Sequence, residues 1–171
     1  MSIRIVLTGP ESTGKSEITS HLAARLHVPF ADELARTFLE KKGPLYDYNL
    51  LLELSRLHKS HQMEKVPNDA PLGIYDTDLI NYKIWCEVVF GKCHPEIIET
   101  INSESNHIYL LCFPDIPWVY DPLREHPHDR ELLFERHRQE IEKLNRPYAI
   151  IKGFGKTRFK NAESAIRDLI P

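Results

Sequence analysis

The stretch GPESTGKSEIT, residues 9–19, carries Gly9, Gly14, Lys15 and Ser16 at every fixed position of the phosphate-binding pattern G-x-x-x-x-G-K-[ST]. The spacing suits one chemistry. Gly9 and Gly14 let the backbone turn tightly and approach phosphate oxygens, and the N–H groups of Glu11, Ser12, Thr13 and Glu17 complete an anion nest at a helix N-terminus. Lys15 is then placed to bridge the β- and γ-phosphates of ATP, and the Ser16 hydroxyl to ligate Mg²⁺. Glu11 is an unusual guest in such a loop. Its carboxylate is expected to point away from the nest while its backbone N–H faces the phosphates.

Acids at strand ends supply the rest of the chemistry. LGIYDTD, residues 72–78, is an apolar run ending in Asp76, placed to hold the Mg²⁺ shell. Asp78 is a natural N-cap, and capping alone or capping plus a substrate contact both fit it. PFADELAR puts Asp32 and Glu33 at the end of another short strand. A kinase acting on a small alcohol needs a carboxylate there to take the hydroxyl proton. Glu33 also fits a helix start, where an acid complements the dipole.

The Pro-rich segment DIPWVYDPLREHPHDR has the composition of a closing lid over about residues 114–130. In that reading Arg124 and Arg130 cover the transferring phosphoryl group and closure excludes water; in the plainer one they are solvated loop residues. Trp118 packs on the core or offers a stacking face to a cationic aromatic ligand. His126 and His128 read as exposed loop residues, and GKCHP, with Cys93 and His94, as a helix-ending turn. GFGKTRFKNA, which contains Arg158, either lies at the adenine end of ATP or closes a sheet edge.

The elements that position these residues follow from periodicity. IRIVLT (3–8), PFADE (29–33), LGIYD (72–76), HIYLLCF (107–113) and YAIIKG (148–153) read as short buried strands. Amphipathic runs between them predict helices over 17–27, 33–43, 48–66, 78–90, 95–102, 131–144 and 161–170, with Gly43-Pro44 and Gly91 as stops. Such alternation calls for an α/β fold: a P-loop kinase-like, five-stranded parallel sheet flanked by helices. Residues 1–171 read as one domain with a lid insert.

Bulk properties exclude other classes. The chain has 171 residues, 42% hydrophobic and 27% charged, with a net charge of −3, and its sequence pI is near 6.3. That balance argues against nucleic acid as a partner. Its 3 cysteines lack framework spacing and its 9 histidines lack metal-site spacing, which suits free thiols in a reducing cytoplasm. No apolar run is long enough for a membrane segment. N-K-x-D and L-S-G-G-Q are both missing, which disfavours a GTP switch and a transporter ATPase.

With these residues in place, the chain resembles the ribosylnicotinamide (nicotinamide riboside) kinase domain of the NadR-type NAD-salvage proteins, over nearly its whole length. The marks are GPESTGKS, E-x-A-R at Glu33 to Arg36, DTD at 76–78, GKCHP, and PWVYDPLR around Trp118, Asp121 and Arg124. The resemblance implies phosphorylation of nicotinamide riboside by ATP to nicotinamide mononucleotide. It also implies that Glu33, Arg36, Asp78, Trp118 and Asp121 lie near the nucleoside. The H-x-G-H motif of the larger members is missing, so adenylyl transfer and repressor activity are not expected. Residue spacing alone leaves open a kinase of another nucleoside or small metabolite, and a regulatory ATPase acting through a protein partner; a homo-oligomer is also left open.

Overall fold

The computed structural model describes residues 2–43, 45–124 and 128–170. Parallel strands β1 (Ile3–Thr8), β2 (Phe30–Ala31), β3 (Leu72–Asp76), β4 (His107–Cys112) and β5 (Tyr148–Ile151) form a five-stranded sheet in the order β2-β3-β1-β4-β5. β1 lies at the centre because its residues from Arg4 to Thr8 are buried on both faces, as a doubly covered parallel sheet requires. In its register Leu7 pairs with Asp76, so the chain leaves β1 and β3 at the same edge. Ligands of open α/β sheets bind beyond that carboxyl edge.

Helices α1 (Lys15–Leu26), α2 (Leu34–Lys42), α3 (Tyr48–Lys65), α4 (Leu79–Phe90), α5 (Pro95–Ser103), α6 (Arg130–Lys143) and α7 (Lys156–Leu169) cover the sheet. Two cores result. One joins Ile5, Leu7, Ile74 and Leu110 of the sheet to Ile18 and Leu22 of α1 and Ala162 and Ile166 of α7. The other joins Val6, Tyr75, Tyr109 and Leu111 to Leu51 and Leu54 of α3, Ile80 and Ile84 of α4, Ile97 of α5 and Phe134 of α6. Alternate residues of each strand serve opposite cores, which is the two-residue period at work.

The expected elements are all present, with bounds that differ by a few residues. β2 stops at Ala31 instead of running to Glu33, because only Phe30 and Ala31 find partners on β3. α7 begins at Lys156, a turn before the NAESAIRDLI run, since Thr157 and Arg158 already bond back to Phe154 and Gly155. Between β4 and α6 the described residues form neither helix nor strand. Pro44 and His126 lie outside the described residues. No helix among the described residues is long and apolar enough to cross a membrane.

Candidate active site

The phosphate loop owes its shape to close packing under it. Gly9 has φ 125°, and a Cβ there would stand 2.8 Å from the Cys112 carbonyl oxygen, so any other residue would push the loop off β4. Gly14 (φ 76°) turns the chain into α1 and leaves its first N–H groups open. Thr13 Oγ1 donates to the Pro10 carbonyl at 2.8 Å, and Lys15 Nζ donates to the same oxygen at 2.8 Å. The lysine head thus lies over the loop mouth.

Asp76 ends β3 beside this loop and is 2% exposed. Its Oδ2 accepts the Ser16 hydroxyl at 2.5 Å, while its Oδ1 is buried with no hydrogen-bond partner. Burial, followed by the nearby Glu33 charge, pushes its carboxyl up to about 6. An orphaned carboxylate oxygen beside a hydroxyl is an all-oxygen donor pair of the kind a hard divalent cation prefers. Ser16 and Asp76 therefore fit Mg²⁺.

From the loop a cavity of about 320 Å³ runs to Glu33, Arg36, Tyr46, Asn81, Trp85, Asp121 and Arg124. After β2 the chain sends successive side chains opposite ways. Asp32 turns outward to His61 (Oδ1 to Nε2, 2.8 Å), whereas Glu33 turns into the cavity. Glu33 occupies the N-cap position of α2 without a side-chain cap bond, and its carboxylate accepts no hydrogen bond from the described residues. Arg36, one turn on, pairs with Asp121 Oδ2, and its Nε bonds Glu40 Oε1 at 3.1 Å. The Leu123 N–H and the Arg36 guanidinium hold the Asp121 carboxyl below its ordinary value. Opposite them the Tyr46 and Trp85 rings meet edge to face, 4.8 Å between centroids.

Four other expected residues sit differently. Asp78 caps α4, its Oδ1 accepting from Ile80 N at 3.1 Å, and its Oδ2 takes the Tyr109 hydroxyl at 2.6 Å and faces His107 Nδ1 at 3.3 Å. Burial opposes its charge, but His107, Tyr109 and Arg146 outweigh it and hold the carboxyl below its ordinary value. Asp78 is 1% exposed, lies outside the cavity lining and caps α4 within an internal polar network. The left-handed Thr77 (φ 69°) is what turns it away from the edge that Asp76 faces.

Arg158 is 4% exposed and spans β4, β5 and the loop. It donates to Phe113 O (2.8 Å), Gly153 O (3.0 Å) and Thr13 O (2.9 Å), and pairs with Asp115 at 2.6 Å. It is a strut beneath the phosphate loop: Nη1 and Nη2 are committed to protein, while the buried Nε has no hydrogen-bond partner among the described residues. Arg130 likewise donates to Ser12 O (3.2 Å) and Ile116 O (3.0 Å). Trp118 packs neither on the core nor on the cavity. It lies between the Arg124 and Arg130 guanidinium groups, 5.9 and 5.8 Å from its ring centroid.

Sequence reasoning missed Tyr46, Asn81 and Trp85. Asn81 and Trp85 lie four apart on α4, immediately after DTD, so a helical wheel started at Asp78 would have put both on one face. Tyr46 sits in the α2–α3 connection and leaves no such signal. His94 caps α5 and bonds the Tyr48 carbonyl at 2.8 Å, as a turn residue should.

Residues 4–158 match the AAA domain family, and the chain belongs to it. Two solved structures share the fold over nearly all of this chain: NadR protein in complex with NR (19% identity, TM-score 0.80, 98% of this chain and 50% of that one) and NadR protein in complex with NAD and AMP-PNP (18%, TM-score 0.77, 98% and 49%). The chain thus spans about half the length of those NadR chains. Thymidylate kinase from Ehrlichia chaffeensis is similar over 98% of both chains, at 18% identity and TM-score 0.59. No curated protein matches the chain.

Proposed function

We propose that this AAA-family chain is an ATP-dependent kinase that phosphorylates a ribose hydroxyl of a nucleoside, with nicotinamide riboside as the preferred substrate and nicotinamide mononucleotide as product. The observation that carries the reading is a cavity joining the phosphate loop to Glu33, whose carboxylate has no hydrogen-bond partner among the described residues, next to two aromatic rings. A regulatory ATPase has no need of such a second compartment.

The roles follow from position. The backbone N–H groups of residues 11–17 and the Lys15 side chain bind the β- and γ-phosphates of ATP, Lys15 exchanging the Pro10 carbonyl for phosphate oxygens. Ser16 and Asp76 hold Mg²⁺, which when bound draws charge from the phosphate oxygens. Glu33 accepts the proton of the ribose hydroxyl as its oxygen bonds to the γ-phosphorus and the bond to the β-γ bridging oxygen breaks, releasing ADP. Arg124, at the cavity rim, meets the charge that spreads over the phosphoryl oxygens. A flat, cationic pyridinium suits the Tyr46–Trp85 corner, because cations are attracted to ring faces and Glu33 adds negative potential.

The two NadR structures are complexes with NR and with NAD and AMP-PNP, which supports the substrate choice. A single kinase domain, a lid over about residues 114–130, of which 125–127 lie outside the described residues, and a cytoplasmic location complete the reading. ADP release from Mg-ATP with a panel of nucleosides tests it. Stimulation by nicotinamide riboside above all others is the expected result; stimulation by a different nucleoside keeps the reaction and discards the substrate, and no stimulation by any discards both.

A further inference from the structure

The 115–124 segment reaches the two ends of the cavity by different contacts. Its first half is anchored near the phosphates: Asp115 takes the Gly153 N–H (2.7 Å) and Arg158, and Arg130 holds the Ile116 carbonyl. Its second half carries Asp121 to Arg36 at the acceptor end. Between them stands Ser12 of the phosphate loop. Ser12 is 9% exposed and, unusually for a non-glycine, left-handed (φ 54°). Its Oγ accepts the Val119 N–H at 3.0 Å and Arg124 Nη1 at 3.4 Å, while its carbonyl accepts Arg130 Nη1 at 3.2 Å.

The chain of contacts is continuous. Arg124 Nη1 also donates to the Val119 carbonyl at 2.5 Å. The Arg124 N–H closes a turn on the Asp121 carbonyl at 3.0 Å, and Asp121 Oδ1 takes the Leu123 N–H at 2.9 Å. A shift of Ser12 is therefore passed to Val119 and Arg124, through the 121–124 turn to Asp121, and so to the Arg36 that lines the acceptor compartment. Phosphate binding must redraw the contacts of this loop, since Lys15 has to leave the Pro10 carbonyl to reach an anion.

We propose that Ser12 is a positioning residue that ties the occupancy of the phosphate loop to the placement of the 115–124 strap, and through Asp121 and Arg36 to the acceptor compartment. The proposal rests on the kinase reading and adds to it a defined route of coupling between the two substrates. Coupling of this kind is reciprocal: nucleotide tightens the acceptor, and acceptor tightens nucleotide, by one common factor.

Amide hydrogen exchange with and without Mg-AMP-PNP, at a concentration saturating each protein, tests it on the full chain without presuming the acceptor. In the unaltered protein exchange slows over residues 9–17 and, by about tenfold, over 118–121 as well. In Ser12→Ala the loop still slows but the change over 118–121 falls to within about twofold. Ser12→Gly, which accepts the left-handed backbone and also lacks the hydroxyl, guards against a strained loop and is expected to behave like Ser12→Ala. Loop protection with an undiminished strap response in both variants, or with no strap response in the unaltered protein, overturns the coupling and leaves the kinase reading standing. No slowing over 9–17 in the unaltered protein overturns both. A second arm measures nicotinamide riboside affinity: nucleotide should tighten it about five- to tenfold in the unaltered protein and less than about twofold in the variants.

Discussion

The two ends of the cavity are built in opposite ways. The phosphate end is nearly all local: Gly9 to Ser16 form it in one turn of chain, and Asp76 arrives from the neighbouring strand in fixed register. The acceptor end is assembled from pieces far apart in sequence: Glu33 and Arg36 from the β2–α2 corner, Tyr46 from the next connection, Trp85 from α4 and Asp121 from the strap. Local construction makes the chemistry of the first end general to phosphate. Long-range construction lets substrate choice change at the second end while the residues of the phosphate loop stay the same.

The largest effect that would break this contrast lies at the local end. Lys15→Ala should lower kcat/KM for ATP by about 10³-fold or more, because it removes a charge aimed at the transferring phosphate. Steady-state kinetics check it, and retention of near-normal turnover would remove the phosphate loop from the mechanism. Glu33→Gln keeps the shape and removes the base. It should lower kcat by about 10²- to 10⁴-fold with little change in the KM for ATP. Equal losses in kcat and nucleotide affinity would move Glu33 into the phosphate end.

Substitutions on the ring face sharpen the contrast with smaller effects. Trp85→Ala should raise the KM for nicotinamide riboside about tenfold while that for ATP stays within about twofold. Trp118→Ala, by contrast, should leave the nucleoside KM within about twofold, since Trp118 lies outside the cavity lining. The reverse pattern would restore Trp118 as the stacking face.

The smallest effects are in pH. Burial holds His58 and His137 down to about 4. The unfolded chain takes up those protons near 6.5 and the folded one does not, so stability falls as pH drops from about 6.5 towards about 4. Asp76, raised to about 6, acts with the opposite sign between about 4 and 6 and offsets part of that loss. Mg²⁺ must displace the Asp76 proton, so its binding should weaken progressively below about pH 6 and release a proton there. Urea midpoints and calorimetry across pH 4–8 check both signs. A stability that rises on acidification would contradict the buried neutral imidazoles.

The same contrast decided what was legible in the sequence. Strands such as IRIVLT and LGIYD could be placed because their apolar runs report double burial directly. Glycine spacing located the phosphate loop because only backbone geometry is at stake there. The surroundings of Asp78 were not legible, because DTD does not reveal that Thr77 is left-handed and turns Asp78 away from the edge that Asp76 faces. Nor could sequence show that Arg158 and Arg130 contact backbone carbonyls beside the phosphate loop. Tyr46 and Trp85 were illegible for the plainest reason: the edge-to-face arrangement of their rings depends on α4 packing beside the α2–α3 connection, a contact no local pattern encodes.

The most direct test of the central claim, that one cavity joins ATP to a hydroxyl beside Glu33, is single-turnover formation of phosphorylated nucleoside from Mg-ATP and nicotinamide riboside, followed by mass spectrometry. Product that accumulates in the unaltered protein and about 10²-fold or more slowly in Glu33→Gln, with ATP still bound by the variant, is the result expected. Equal rates in the two proteins, or ATP hydrolysed to ADP and free phosphate with the nucleoside untouched, would contradict it.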